Sequence, residues 1–174
     1  LRDLLGALLL YSGNDAATAI AEYVGGSEEA FVNMMNRRAQ ELMANGTHFM
    51  NPHGLHDDNH YTTAYDLYLI FNECINIIQS EAYTAYYTDV DGNSQEALFT
   101  PTNLYAQGEV DVPENVTIVG GKTGTTDEAG YCLILMEKDS SDNPYISIVM
   151  GASEKPVLYE DMTSLIEAIP SGQQ

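Results

Sequence analysis

Basic residues are scarce in this chain: its 174 residues hold six Lys plus Arg against 26 Asp plus Glu, a formal charge of −20. Phosphate backbones are gripped by Lys and Arg, so this balance argues against nucleic acid and against anionic membrane surfaces as partners. It favours solubility and says little about fold. Cysteine is scarce as well, with only Cys74 and Cys132. Both lie in apolar surroundings (FNECINII and GYCLILM), so buried free thiols are the expected state, and a disulfide stays open because spacing alone does not pair them. No Cys-x-x-Cys or Cys/His zinc spacing occurs. No apolar run is long enough to span a bilayer, and no leader pattern opens the chain. The first residue is Leu1, already inside an amphipathic pattern and without an initiator Met. That start reads as a processing boundary.

The chain has length for one domain and an apolar fraction of 44%, enough for a packed core. Leu1 to Tyr11 has the density of a buried helix, broken by Ser12-Gly13-Asn14. Asp15 is a candidate cap for a second helix over Ala16 to Val24, which Gly25-Gly26 ends. Ser27-Glu28-Glu29 starts a third, running to about Ala44 with Phe31, Met34, Met35 and Leu42 on one face. After a polar loop from Thr47 to Tyr61, helices are expected over Thr63 to Ile78 and, briefly, Glu81 to Tyr87. Thr88 to Asn115 is turn-rich. Strands are expected over Thr117 to Thr123, Gly130 to Lys138 and Tyr145 to Gly151, with a hairpin turn at Asp139–Pro144, before a closing helix from Leu158 to Ile169. Helices first, an antiparallel sheet next and a covering helix last predict a segregated α/β sandwich rather than alternating βαβ units.

Two short motifs carry the chemistry. Ser12-Gly13-Asn14 ends the first helix, and Lys122-Thr123-Gly124 ends a strand after Gly120-Gly121. Serine acyl transfer to and from a peptide carboxylate needs a nucleophile, a base, an amide-binding group, a cation and an oxyanion hole. Ser-x-Asn offers a hydroxyl for proton relay and a side-chain amide for a peptide backbone. Lys-Thr-Gly offers an ammonium, a hydroxyl for a carboxylate and a bare position where substrate can lie. The Thr125 N–H that follows is a candidate oxyanion donor. Each motif alone recurs by chance. In this order they match motifs two and three of the penicillin-binding fold.

The flanking sequence sharpens that likeness. LLYSGNDAATAIAE, FVNMMNRRAQEL, THFMNPHGLHDDNHYTTAYDL, GGKTGTTDEAGYCL and IVMGASEKPVLYEDMTSLI resemble successive segments of the low-molecular-weight penicillin-binding proteins, the serine-type D-alanyl-D-alanine carboxypeptidases. Only about Thr88 to Asn115 matches poorly. The resemblance implies a β-lactamase/penicillin-binding transpeptidase-like α/β fold, with an antiparallel sheet flanked by helices. It also implies a hydrolase that trims the terminal D-alanine from peptidoglycan stem peptides through an acyl-serine, binds β-lactams, uses no cofactor and works outside the bacterial cytoplasm. Ser12 would relay protons and Asn14 would bind the substrate amide. Lys122 would set the electrostatics, Thr123 would hold the terminal carboxylate, and Gly124 and Thr125 would face the substrate.

The resembled family also has a Ser-x-x-Lys that holds its nucleophile, and here it is missing. Val119, Leu135 and Ala152 stand three positions before Lys122, Lys138 and Lys155, the three lysines. The nucleophile is therefore expected upstream of Leu1, with 1–174 a partial catalytic domain, truncated at the N-terminus and inert alone. Such a piece is expected to show an exposed sheet edge and an open helix face, and to pair with its own N-terminal segment or a second copy. Leu158 stands where relatives often carry an arginine that helps bind the carboxylate.

Other readings compete. His48, His53, His56 and His60, with Asp57 and Asp58, have ligand chemistry for zinc, but beside this resemblance Asn51 to Leu55 reads as a structural loop, and no metal is expected. The Tyr83 to Tyr87 run is read as core and interface packing. A non-catalytic muropeptide-binding module and a β-lactamase-like hydrolase are the alternative functions. The latter needs a deacylating glutamate, and Glu73, Glu81, Glu96 and Glu109 lie in no sequence that resembles its loop.

Overall fold

A computed structural model describes residues 1–74 and 82–170. Three helices lead: α1 (Arg2–Leu9), α2 (Asn14–Gly25) and α3 (Glu28–Glu41). Gly26 takes φ 79°, the left-handed conformation that closes α2 where the glycine pair demands it. Ser27 caps α3, its hydroxyl accepting from the Ala30 N–H at 3.2 Å. The cap expected at Asp15 falls elsewhere: α2 is capped by Gly13, without a side-chain bond. No residue of α1 is buried, contrary to the buried helix its apolar density suggests. Its main packing is against α2 and β1.

A loop then leads to α4 (Ala64–Cys74). The rest of the helix expected to Ile78 lies outside the described residues, as does the side chain of Cys74. The short helix expected over Glu81 to Tyr87 is corrected to a strand, β1 (Tyr83–Thr88), paired antiparallel with β2 (Ser94–Phe99). Five of its six residues are Tyr or Thr, which suit a pleat better than a helical turn, and Asp89 nucleates the turn by accepting from the N–H groups of Asp91 and Asn93. Of the tyrosine run, Tyr86 and Tyr87 are exposed rather than packed. A single turn, α5 (Leu104–Gln107), follows.

The principal sheet is three-stranded, in the order β3-β4-β5: β3 (Val116–Thr126), β4 (Gly130–Asp139) and β5 (Pro144–Ala152). Asp139 closes the β4–β5 turn by accepting from the backbone of Ser141 and Asn143. α6 (Lys155–Glu167) returns across the sheet. The apolar run of β4 serves both faces. Leu133 and Leu135 pack under Leu158, Met162 and Ile166 of α6, while Ile134 and Met136 pack toward Phe71 and Leu67 of α4. A strand buried on both sides reads as continuous rather than alternating hydrophobicity. The result is helix, sheet and helix in layers. Cys132 is a free thiol but only half-buried, at the margin of this core.

Neither β3 nor β5 pairs on its outer edge with another described strand. Phe31, Met34, Met35 and Leu42 form the expected apolar face of α3, yet with Phe49 and Ile70 they line an open groove of about 440 Å³. The register of β3 slips between Ile118 and Gly120, and Gly121 then presses against β4. A Cβ there would sit 2.5 Å from the Ile134 carbonyl oxygen and closer still to the Leu135 side chain. Gly121→Ala is expected to lose about 2 kcal/mol in urea unfolding, and an unchanged midpoint would contradict this packing.

Candidate active site

Ser12 occupies the corner between α1 and α2 with φ 65°, a left-handed conformation unusual for a residue with a Cβ. Its N–H bonds to Leu8 O and that of Gly13 to Ala7 O, so the end of α1 holds the corner in place. Strain of this kind is retained where surrounding structure over-determines it, commonly at functional sites. The corner points the Ser12 hydroxyl outward to β3. There the Lys122 ammonium donates to Ser12 Oγ at 2.8 Å and to the Thr123 carbonyl at 2.7 Å. Two motifs far apart in sequence thus meet in one hydrogen bond.

Lys122 is half-buried, and no carboxylate pairs with it among the described residues. Burial disfavours the charged form and lowers its pKa from 10.5 to about 8. An ammonium of that acidity, bonded to a hydroxyl, is suited to passing protons near neutral pH. Asn14 opens α2 beside Ser12, exposed, and its amide makes no side-chain bond among the described residues. Thr123 meets Thr102 across the site, with hydroxyl oxygens 2.5 Å apart. At Gly124 an added Cβ would meet nothing within 4 Å, so the strand is open to approach. Thr125 is exposed beyond it. Ser12, Lys122 and Thr123 are therefore in direct contact, while Asn14, Gly124 and Thr125 adjoin them along the chain.

Beyond Gly124 the site opens into a cavity of about 570 Å³ between β3 and the loop before α4, walled by Leu55, His56, His60, Tyr61, Thr126 and Met150 among others. That loop is held by polar contacts the sequence did not reveal. Asn36 clamps Phe49, donating to its carbonyl and accepting from its N–H, both at 2.8 Å. The buried Asp66 carboxylate accepts from the Gly46 N–H and the Thr47 hydroxyl, both at 2.7 Å. The four histidines serve the same loop: His48 bonds the Asn59 carbonyl, His60 and His53 accept from Met50 and Leu55, and His56 lies 3.3 Å from Asp58. No three ligating groups converge among the described residues. Thr102, too, escaped the sequence reading. It lies in the poorly matching stretch, and only the tertiary fold brings it to Thr123.

A family model described as D-alanyl-D-alanine carboxypeptidase, peptidase S11, matches residues 1–154. The D-alanyl-D-alanine carboxypeptidase DacF of Bacillus subtilis is 32% identical over 95% of this chain and 41% of its own length. DacC of Escherichia coli is 31% identical over 94% of the chain and 39% of its own length. The crystal structure of the Streptomyces K15 DD-transpeptidase superposes with a TM-score of 0.83 at 27% identity, covering 95% of this chain and 66% of that one. The chain spans about two fifths of the length of these curated relatives. Its α/β fold, an antiparallel sheet flanked by helices, is that of the DD-peptidases.

Proposed function

Because this chain belongs to the D-alanyl-D-alanine carboxypeptidase family of serine peptidases, we propose that it forms part of an enzyme that removes the terminal D-alanine from peptidoglycan stem peptides. The 2.8 Å bond between Lys122 and Ser12 carries the reading, since it couples an ammonium to a hydroxyl beside an open strand edge. The nucleophile and its activating lysine come from a Ser-x-x-Lys segment outside these 174 residues, which form a partial catalytic domain.

In the acylation step the nucleophilic serine passes its hydroxyl proton to its activating lysine and bonds to the carbonyl carbon of the penultimate D-alanine. The bond to the leaving D-alanine nitrogen breaks, and that nitrogen needs a proton. Ser12 gives its hydroxyl proton to the amine and takes one from the Lys122 ammonium, a general-acid relay. Asn14 holds the peptide amide, and Thr123 holds the terminal carboxylate in the field of Lys122. The peptide lies against Gly124, and the Thr125 N–H faces the oxyanion. Leu158 brings no cation to this site: it is buried in the core on the inner face of α6, so carboxylate binding rests on Thr123 and Lys122. β-Lactams enter the same site as acylating analogues. The enzyme works outside the cytoplasm, where its substrate lies. Its unpaired strand edges and open α3 face are covered by its N-terminal segment or by a second copy.

Intact mass after incubation with a penicillin tests this reading. The 174-residue chain alone is expected to stay unmodified, and the chain joined to its Ser-x-x-Lys segment to gain one penicillin. A stoichiometric adduct on the chain alone would refute the external nucleophile. The lack of a Ser-x-x-Lys here favours a second reading, a module that holds muropeptide without cleaving it. A joined protein that binds muropeptide yet takes no adduct would establish that alternative.

A further inference from the structure

We propose that Thr102 is a positioning residue for the substrate carboxylate, acting through the Thr123 hydroxyl. This rests on the reading of Thr123 as the group that holds that carboxylate. The two hydroxyl oxygens lie 2.5 Å apart, the short limit for an O–H···O bond. Each hydroxyl has one proton, so only one of the two donates into the pair. If Thr123 donates to Thr102, it presents lone pairs to the cleft and repels an anion. If Thr102 donates to Thr123, the Thr123 proton is free to point at a carboxylate. An arriving anion selects the second arrangement, in which the chain Thr102 to Thr123 to carboxylate is polarised in one direction and each bond strengthens the next.

Thr102 is held firmly enough for this task. It precedes α5, whose N-cap Asn103 is buried and accepts from the Ala106 N–H at 2.9 Å. The Gln107 amide ties back to the Pro101 carbonyl at 3.0 Å. The Leu104 N–H donates to the Tyr159 hydroxyl at 2.9 Å, and Tyr105 packs against Tyr159 with ring centroids 5.4 Å apart. The short turn is thereby bolted to α6, and the hydroxyl at its head is delivered to β3 with little freedom to turn away.

The test uses the protein carrying this chain together with its Ser-x-x-Lys segment. Acylation rates are compared for a penicillin with its free carboxylate and for the methyl ester of the same penicillin. Thr102→Val keeps the shape and removes the donor. It is expected to slow the free acid about tenfold, the worth of one hydrogen bond to a charged group, and the ester less than about twofold. Thr102→Ser restores the wild-type preference. A merely structural tie between α5 and β3 would slow both compounds equally or lower the melting temperature in step with the rate, and either result overturns the proposal. A Thr102→Val protein that acylates at the wild-type rate with both compounds overturns it as well. Wild-type protein that takes no penicillin at all overturns the parent reading and this one with it.

Discussion

Lys122→Met is expected to slow penicillin acylation about 10²–10³-fold in the protein carrying this chain with its Ser-x-x-Lys segment, and at the same time to make it more stable. The two effects share one cause. The ammonium is half-buried and, among the described residues, meets a hydroxyl and a carbonyl but no carboxylate, so these residues hold a cation they do not neutralise. Its pKa of about 8, against an ordinary 10.5, records that penalty. For a base lowered on folding, the folded state releases its proton first. Stability contributed by this group therefore rises with pH between about 8 and 10.5 and is at its lowest below 8. Removing the cation at pH 7 relieves the penalty but loses two hydrogen bonds, leaving a net gain of about 1–2 kcal/mol. In the wild type the donor is lost as pH rises through about 8, so kcat/KM is expected to fall there. Thermal melts at pH 7 beside acylation rates from pH 6 to 9 check both halves. A less stable Lys122→Met, or a rate that stays flat through pH 8, would remove Lys122 from the role of buried proton donor.

How much of this is legible in the sequence depends on whether a contact is local. β4 is legible because its apolar residues run unbroken from Tyr131 to Met136, and β3 and β5 because turn residues bound their β-branched stretches, with Asp139 to Asn143 closing its own turn. α3 announces itself by its Ser27 cap, α2 by the glycine pair that ends it, and α6 by the helical spacing of Leu158, Met162 and Ile166. The first hairpin does not. Tyr86 and Tyr87 face solvent, so β1 lacks the buried alternation that separates strand from helix, and only the Asp89 turn signals it. α1 misleads in the opposite way, since apolar density shows what a helix is able to bury and not what packs on it. At the site, Ser12 and Lys122-Thr123-Gly124 are legible because each motif is contiguous. Thr102 is not, because its partner lies on another strand and its own stretch resembles nothing. Asn36 and Asp66 likewise act on backbone that periodicity does not describe.

Glu137 is the sharpest case of a residue whose setting the sequence conceals. A glutamate near the end of a strand reads as a surface residue, yet Glu137 is 0% exposed, on the face of β4 that α6 covers. Neither carboxylate oxygen makes a well-formed hydrogen bond among the described residues, although the Ser147 hydroxyl and N–H lie close enough to offset part of the cost. Its strand neighbours are Ile118 and Tyr145, with Ser147 and Tyr105 close by and Asp139 two positions along. None is a cation. Burial pushes its pKa from 4.5 to about 7, with Ser147 offsetting only part of the cost. For an acid raised on folding, the folded state keeps its proton longer than the unfolded chain. The protein is therefore expected to lose stability as pH rises from about 4.5 to 7, by about 3 kcal/mol. Glu137→Leu, similar in size and without charge, is expected to abolish that slope and to exceed wild type by about that amount at pH 8. Glu137→Gln removes the charge but leaves an unpartnered amide in the core, so its gain is smaller. Urea unfolding of all three proteins between pH 5 and 8 isolates the effect, because every other titrating group is common to them. Parallel curves for wild type and Glu137→Leu would mean that the carboxylate reaches water or a cation after all.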